Sequence, residues 1–205
     1  MIHYSKEIIL FFILFLFTTC KDNSSLPYLG EKVNIDGKEI KHVIPDWKML
    51  NQDSVGVTNK SLSPYIYVAD FFFTSCPSIC PRVAKEMLKI HDAFKDEVKV
   101  KLVSFTLDPK RDTPSRLKLY GDNLSINHEK WWLLSGDKDS TLQLASSYFV
   151  AAFEDATVPG GFDHSGKIIL VDQNGHIRSF SEGTDPDETP RLIKDIKKLL
   201  AQEAR

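Results

Sequence analysis

Only three cysteines occur among the 205 residues, and the chain has no glycine-rich phosphate-cradling loop, no basic excess and no bilayer-length apolar run. Each absence narrows the field. With 26 Lys and Arg against 28 Asp and Glu the formal net charge is -2, whereas a nucleic-acid binder normally carries a basic excess or face. Without the phosphate-cradling loop there is no nucleotide-binding signature. No internal repeat or low-complexity tract is present. What is there is an ordinary globular composition, 42% hydrophobic and 26% charged, with length for one domain.

The first residues are a separate object. Lys6 precedes ten apolar residues, Ile8 to Phe17, and Thr18-Thr-Cys20 follows. Ten is short for a bilayer span but suits the core of a signal peptide. A cysteine directly after that core resembles the lipobox of bacterial lipoproteins, in which the signal is cut before the cysteine and the cysteine is lipidated. The expected organisation is a signal peptide over 1–19, a lipid-anchored tether over 20–30 starting at Cys20, and a folded domain over 31–205. An uncleaved anchor or a plain secretory signal would put the body in the same compartment, the extracytoplasmic face of a bacterial membrane. Residues 21–30 are polar and turn-rich, as a tether should be.

Residues 65–81, Tyr-Ile-Tyr-Val-Ala-Asp-Phe-Phe-Phe-Thr-Ser-Cys-Pro-Ser-Ile-Cys-Pro, organise the rest. The β-branched and aromatic run reads as a buried strand that stops at Thr74. After Pro81 the period changes: Val83, Met87, Ile90 and Phe94 fall on one face of an amphipathic helix. Cys76 and Cys80 therefore sit where a strand turns into a helix, whose unpaired N–H groups favour thiolates, so both thiols are expected to ionise readily. At this spacing the two sulfurs can share a metal ion or form a disulfide. A purely structural disulfide would close a five-residue loop worth roughly 2 kcal/mol, a weak reason for the pair.

Elsewhere the turn signals Asn34-Ile-Asp-Gly37 and Asn51 to Gly56 predict small hairpins ahead of the core. Residues 98–106 and 131–134 read as strands, and 114–122 as a helix capped by Thr113 with Pro114 in its first turn. Asp137 to Ser140 reads as a cap region ahead of a helical pattern over 142–149, and a loop over 151–162 follows. Asn174-Gly175 between two apolar runs marks a hairpin, and 188–202 is a last amphipathic helix. The order β-α-β-α-β-α-β-β-α is an α/β plan: a central mixed sheet with helices on both faces and an N-terminal β-hairpin extension. Among six histidines His164 stands out, lying just before the hairpin's first strand; the other five, His3, His42, His91, His128 and His176, read as surface polar residues.

Three segments together, Thr74-Ser-Cys-Pro-Ser-Ile-Cys-Pro81, Thr106-Leu-Asp-Pro-Lys-Arg-Asp-Thr-Pro114 and Asp163-His-Ser165 before Ile168 to Asp172, resemble the Sco/SenC family over roughly residues 42–202. The resemblance implies a thioredoxin-like fold and one copper ion, Cu(I) or Cu(II), held by Cys76, Cys80 and His164. It also implies a metallochaperone, not an enzyme in the strict sense, that serves the binuclear copper centre on the copper-bearing subunit of cytochrome c oxidase. Soft thiolates select Cu(I), and an imidazole helps hold Cu(II). Asp163 is a candidate to orient His164 from behind. Asp108 and Asp112 match the family's second segment, where capping and a solvated turn explain them as well as any metal role. In an exported compartment the pair must be kept reduced, which calls for a reducing thioredoxin-like partner.

The competing reading is an extracytoplasmic thiol-disulfide oxidoreductase using Cys76 and Cys80. Its three-residue spacer departs from the C-x-x-C of thioredoxins. A peroxiredoxin is a third candidate, disfavoured because Thr74 lies two residues before Cys76 instead of three and the motif's proline is missing.

Overall fold

A computed structural model describes residues 25–204. The expected signal peptide and Cys20 lie outside the described residues. The chain opens with a hairpin of β1 (Lys32–Ile35) and β2 (Lys38–Lys41), turned by Asp36 and Gly37 at φ 52° and 77°. Two successive positive φ angles give the tight turn whose twist matches the strands it joins. A second hairpin pairs β3 (Lys48–Asn51) with β4 (Gly56–Thr58). Its turn is tied by the Asn51 side chain, which accepts from the N–H groups of Asp53 at 3.0 Å and Val55 at 2.9 Å. Both predicted N-terminal hairpins are present.

The core follows the predicted alternation: β5 (Ile66–Phe72), α1 (Cys80–Ala93), β6 (Val100–Thr106), α2 (Pro114–Asn123), β7 (Trp131–Ser135) and α3 (Lys138–Ser147). Then come β8 (Ala152–Glu154), β9 (Phe162–His164), β10 (Lys167–Val171), β11 (Ile177–Glu182) and α4 (Thr189–Glu203). Seven strands form one sheet in the order β11-β10-β5-β6-β7-β3-β4, with β5, β6 and β7 parallel and the others antiparallel to their neighbours. Every residue of β5 is buried, as its unbroken apolar run requires of a central strand. Neighbouring residues of a strand point to opposite faces. Phe71 packs on Tyr148 at the end of α3 and Phe72 on Tyr120 of α2, so these helices cover opposite faces. On the α2 side α1 and α4 also meet, joined by Thr189 Oγ1 donating to Glu86 at 2.5 Å. Each large apolar side chain buried in this way contributes about 1.5–3 kcal/mol.

Three details differ from the sequence expectation. The third helix starts at Lys138, within the expected cap region, where Asp137 caps it as read by accepting from Ser140 N at 2.9 Å. The expected loop over 151–162 contains β8, and the short β9 that pairs with it ends on His164. The expected tether also does not run free to residue 30. Leu26 is buried, Leu29 N donates to Ile177 O at 2.9 Å, and Arg178 reaches over to the carbonyls of Leu26 at 2.6 Å and Pro27 at 3.0 Å. Arg178 spends its remaining charge on Asp172 at 3.0 Å, both groups being buried. Residues 26–29 thus form a strap across the start of β11. Among the described residues no helix is long and apolar enough to cross a membrane.

Candidate metal centre

At the end of β5 the chain leaves the sheet through Phe73 and turns back, with Cys76 N donating to Phe73 O at 3.2 Å. Cys80 is the first residue of α1 and Pro81 the second, where a missing N–H has no partner to lose. The apolar face predicted for this helix, Val83, Met87 and Ile90, is buried and fixes where Cys80 lies. From the far side β9 brings His164. One ligand atom from each of Cys76, Cys80 and His164 lies within 4.8 Å of the others, and no second cluster of this kind occurs among the described residues. The three are 8%, 4% and 6% exposed, and both cysteines are free thiols.

The electrostatics separate the two sulfurs. Burial raises the pKa of Cys76, but hydrogen bonds from the Cys80 side chain and backbone, and from Ser78, outweigh it and hold this thiol below its ordinary value. For Cys80 burial dominates and pushes the pKa well up, with the Cys76 sulfur and the Asp70 carboxylate adding to the effect. The expectation that both thiols ionise readily therefore holds for Cys76 alone. Burial pushes the His164 imidazole toward its neutral form, against the opposing pull of the Ser165 carbonyl and Asp163. Nδ1 donates to Ser165 O at 3.3 Å, which leaves the Nε2 lone pair facing Cys80 Sγ at 3.4 Å. A neutral imidazole with its outer nitrogen hydrogen-bonded is in the form a metal takes up.

The residue that orients His164 through a hydrogen bond is thus Ser165, by its backbone, while Asp163 is exposed. Asp112 is fully buried, which removes the solvated-turn explanation. It accepts from Thr74 N at 2.9 Å, Thr74 Oγ1 at 2.5 Å and Thr106 Oγ1 at 2.5 Å, and so ties the cysteine loop to the end of β6. Arg116 Nε closes this network on Thr74 Oγ1 at 2.7 Å. Asp108 holds its own turn, accepting from Arg111 at 3.1 Å. Neither aspartate joins the ligand cluster. Asp70, in the middle of β5, was not singled out from the sequence; a lone carboxylate inside an apolar run was the signal. Burial raises its pKa to about 7, partly offset by the hydrogen bond from Ser104.

The other histidines lie elsewhere. His91 is buried, accepts from Asn127 N at 3.2 Å and packs against Trp131, a correction to its reading as a surface residue. His42, His128 and His176 bond backbone or side-chain groups away from the thiols. His3 lies outside the described residues.

Fold and cluster together define a thioredoxin-like domain with a buried two-thiol, one-imidazole site at the end of its central strand. The family model described as SCO1/SenC matches residues 35–201, and the chain belongs to that family. A relative from Rickettsia conorii, a SCO2-like protein, is 30% identical over 82% of each chain. The crystal structure of a SCO1/SenC family lipoprotein from Bacillus anthracis superposes with a TM-score of 0.71 at 28% identity, covering 84% of this chain and 99% of that one. ScoI from Bradyrhizobium japonicum with copper bound gives 0.62 at 30% identity, over 74% and 98%. BsSco, a member of the Sco family of cytochrome c oxidase assembly proteins in which a disulfide switch was identified, has the same fold at 24% identity and a TM-score of 0.69, over 84% and 98%.

Proposed function

We propose that this protein is a copper-binding metallochaperone that serves assembly of the binuclear copper centre of cytochrome c oxidase. The observation that carries the reading is the buried convergence of Cys76, Cys80 and His164 within 4.8 Å. Copper is the cargo, held by two thiolates and the Nε2 of His164. Loading requires both sulfurs to lose their protons, and the Cys80 proton is the more strongly held, so uptake releases protons and strengthens as pH rises. Three protein ligands leave the ion open to a fourth from a recipient, which suits transfer by ligand exchange. The copper-bound Bradyrhizobium relative supports the cargo, and the family to which BsSco is assigned supports the client.

The reading extends to the setting. Residues 1–19 are a signal peptide, Cys20 carries a lipid, and the domain stands on the extracytoplasmic face of a bacterial membrane; the description of the Bacillus anthracis relative as a lipoprotein supports this. Its partners are the copper-bearing subunit of the oxidase and a thioredoxin-like reductant that keeps the pair as thiols.

The test is anaerobic copper titration of the reduced protein beside His164→Ala. One tightly held ion per chain, with a thiolate-to-Cu(II) charge-transfer band that the substitution abolishes, is the expected result. Absence of binding, or an unchanged spectrum in the variant, would overturn it.

A second reading, thiol-disulfide exchange, is favoured by the unequal thiols. The Cys76 thiolate would attack a partner's disulfide and release one partner thiolate. Cys80, having given up its proton, would then attack Cys76 Sγ, releasing the second and leaving Cys76 and Cys80 joined. Turnover of a disulfide substrate that is lost in Cys76→Ser but kept in His164→Ala would select this role.

A further inference from the structure

We infer that the groove between the N-terminal strap and the β10–β11 hairpin is a binding site for a single acyl chain with an anionic head. The groove has a volume of about 380 Å³, and none of Cys76, Cys80 or His164 lines it. Its walls are Leu29 of the strap, Tyr148 and Phe149 at the end of α3, Ile169 of β10, and Ile177 and Phe180 of β11. A cavity of that size with apolar walls and a few polar groups at its mouth is what small-molecule sites look like. The Tyr148 hydroxyl is already paired with that of Tyr67 at 2.8 Å, so the walls ask for hydrocarbon and not for hydrogen bonds.

The mouth carries the polar part. Lys167 and Glu31 are the charged residues of the lining. Lys167 Nζ has no carboxylate partner among the described residues; it lies 3.5 Å from the Phe149 carbonyl and 5.1 Å from the centre of the Phe180 ring. Glu31 is exposed. An ammonium without a carboxylate partner at the lip of an apolar groove fixes one end of an amphipathic anion, and the groove takes the other.

Two backbone features shape the rim of the groove. Phe149 takes φ 58° as the left-handed residue that ends α3, where Phe149 N donates to Ser146 O and Val150 N to Ala145 O at 3.0 Å each; this sets its side chain against the His42 ring with the residue 40% exposed, and Phe180, also on the groove, is 41% exposed. Gly30, at φ 107°, turns the strap where a Cβ would come within 2.8 Å of the Phe149 ring. One part rests on the membrane-anchored reading above: a strap arriving from a lipidated Cys20 holds the groove beside a bilayer, which makes anionic lipid the nearest source of such a chain.

The test uses the metal-free full chain with Cys20→Ser, which keeps a lipid of its own off the protein. A dansylated undecanoate serves as probe and laurate as competitor. Saturable binding of one probe per chain is expected, with laurate displacing it roughly tenfold better than dodecanol, which has the same chain and no charge. Lys167→Gln should erase the preference for laurate, and Phe180→Glu should abolish binding while the copper titration stays as in the parent. Displacement by phosphatidylglycerol vesicles assigns the bilayer as source; displacement by laurate but not by vesicles keeps the site and assigns a free fatty acid. No saturable binding overturns the proposal, as does laurate binding unchanged in Lys167→Gln. A concentration-dependent dimer that Phe180→Glu abolishes, without laurate binding, would give the face to a second copy of the chain and overturn it too.

Discussion

Replacing Asp70 by Asn should make the metal-free protein more stable at alkaline pH and leave it unchanged in acid. Asp70 is buried in β5, and its carboxylate receives a hydrogen bond from Ser104, whose own oxygen accepts from Trp131 Nε1 at 2.8 Å. Burial raises its pKa from 3.8 to about 7 in the folded chain. The native state therefore binds this proton more tightly than the unfolded chain does. The stability it confers is complete below pH 3.8 and is lost as pH rises through about 7. The gap is about three units, and at 1.36 kcal/mol each the loss approaches about 4 kcal/mol, an upper figure. An amide does not titrate, and its oxygen still accepts from Ser104. Urea unfolding of parent and variant from about pH 4 to about pH 8 should give curves that coincide at the acid end, diverge up to about pH 7 and run parallel beyond it. A difference that is constant across that range would refute the argument, since it would mean that Asp70 does not change charge there.

Other consequences follow from the same geometry. Limited alkylation with iodoacetamide near neutral pH, read by mass spectrometry, should label Cys76 well ahead of Cys80, because one thiol is held down by hydrogen bonds and the other pushed up by burial; equal labelling would contradict the assignment. Asp112→Ala strips the acceptor from Thr74 and Thr106, at a cost of about 1–3 kcal/mol, and should weaken copper binding as well as lower the unfolding midpoint. Thr74→Ser, which keeps the hydroxyl, should bind copper as the parent does, and Thr74→Val should not. Arg178→Ala leaves Asp172 buried and unpaired and should cost about 3–5 kcal/mol in a urea melt. It should also free residues 26–29 for proteolysis, a cleavage the parent resists.

Much of this architecture was legible in the sequence because it is written locally. The apolar run of β5, the change of period after Pro81, the Thr113-Pro114 helix start and the Asn174-Gly175 turn each specify structure within a few residues. His164 could be placed by order alone, since the strand that follows it pairs with β5. What escaped depends on distant partners. Asp112 is bonded to Thr74, 38 positions away, so its burial had no local signature. The strap has a linker's composition and is held by Arg178, 152 positions from Leu26. The strands β8 and β9 have three residues each, too short for a period to show, and stand only because they pair with each other. The unequal thiols were missed for a related reason: a helix start treats both alike, and only the hydrogen bonds each sulfur receives, together with its depth of burial, tell them apart.

The strap also sets a height. Leu29 joins the sheet at Ile177, which pairs with Val171, which pairs with Tyr67 near the start of β5; the cysteines follow that strand's other end. On the lipidation of Cys20 proposed above, five residues of sequence separate the anchor from Leu26, a contour of at most about 18 Å. The seven residues of β5 span about 23 Å between the level of the strap and the cysteine loop. On that proposal the domain would stand as a short mast, its foot near the headgroups and its thiols at the top. Such a mast would reach clients that present their acceptor groups a few nanometres above the surface and would miss those that keep them flush with it.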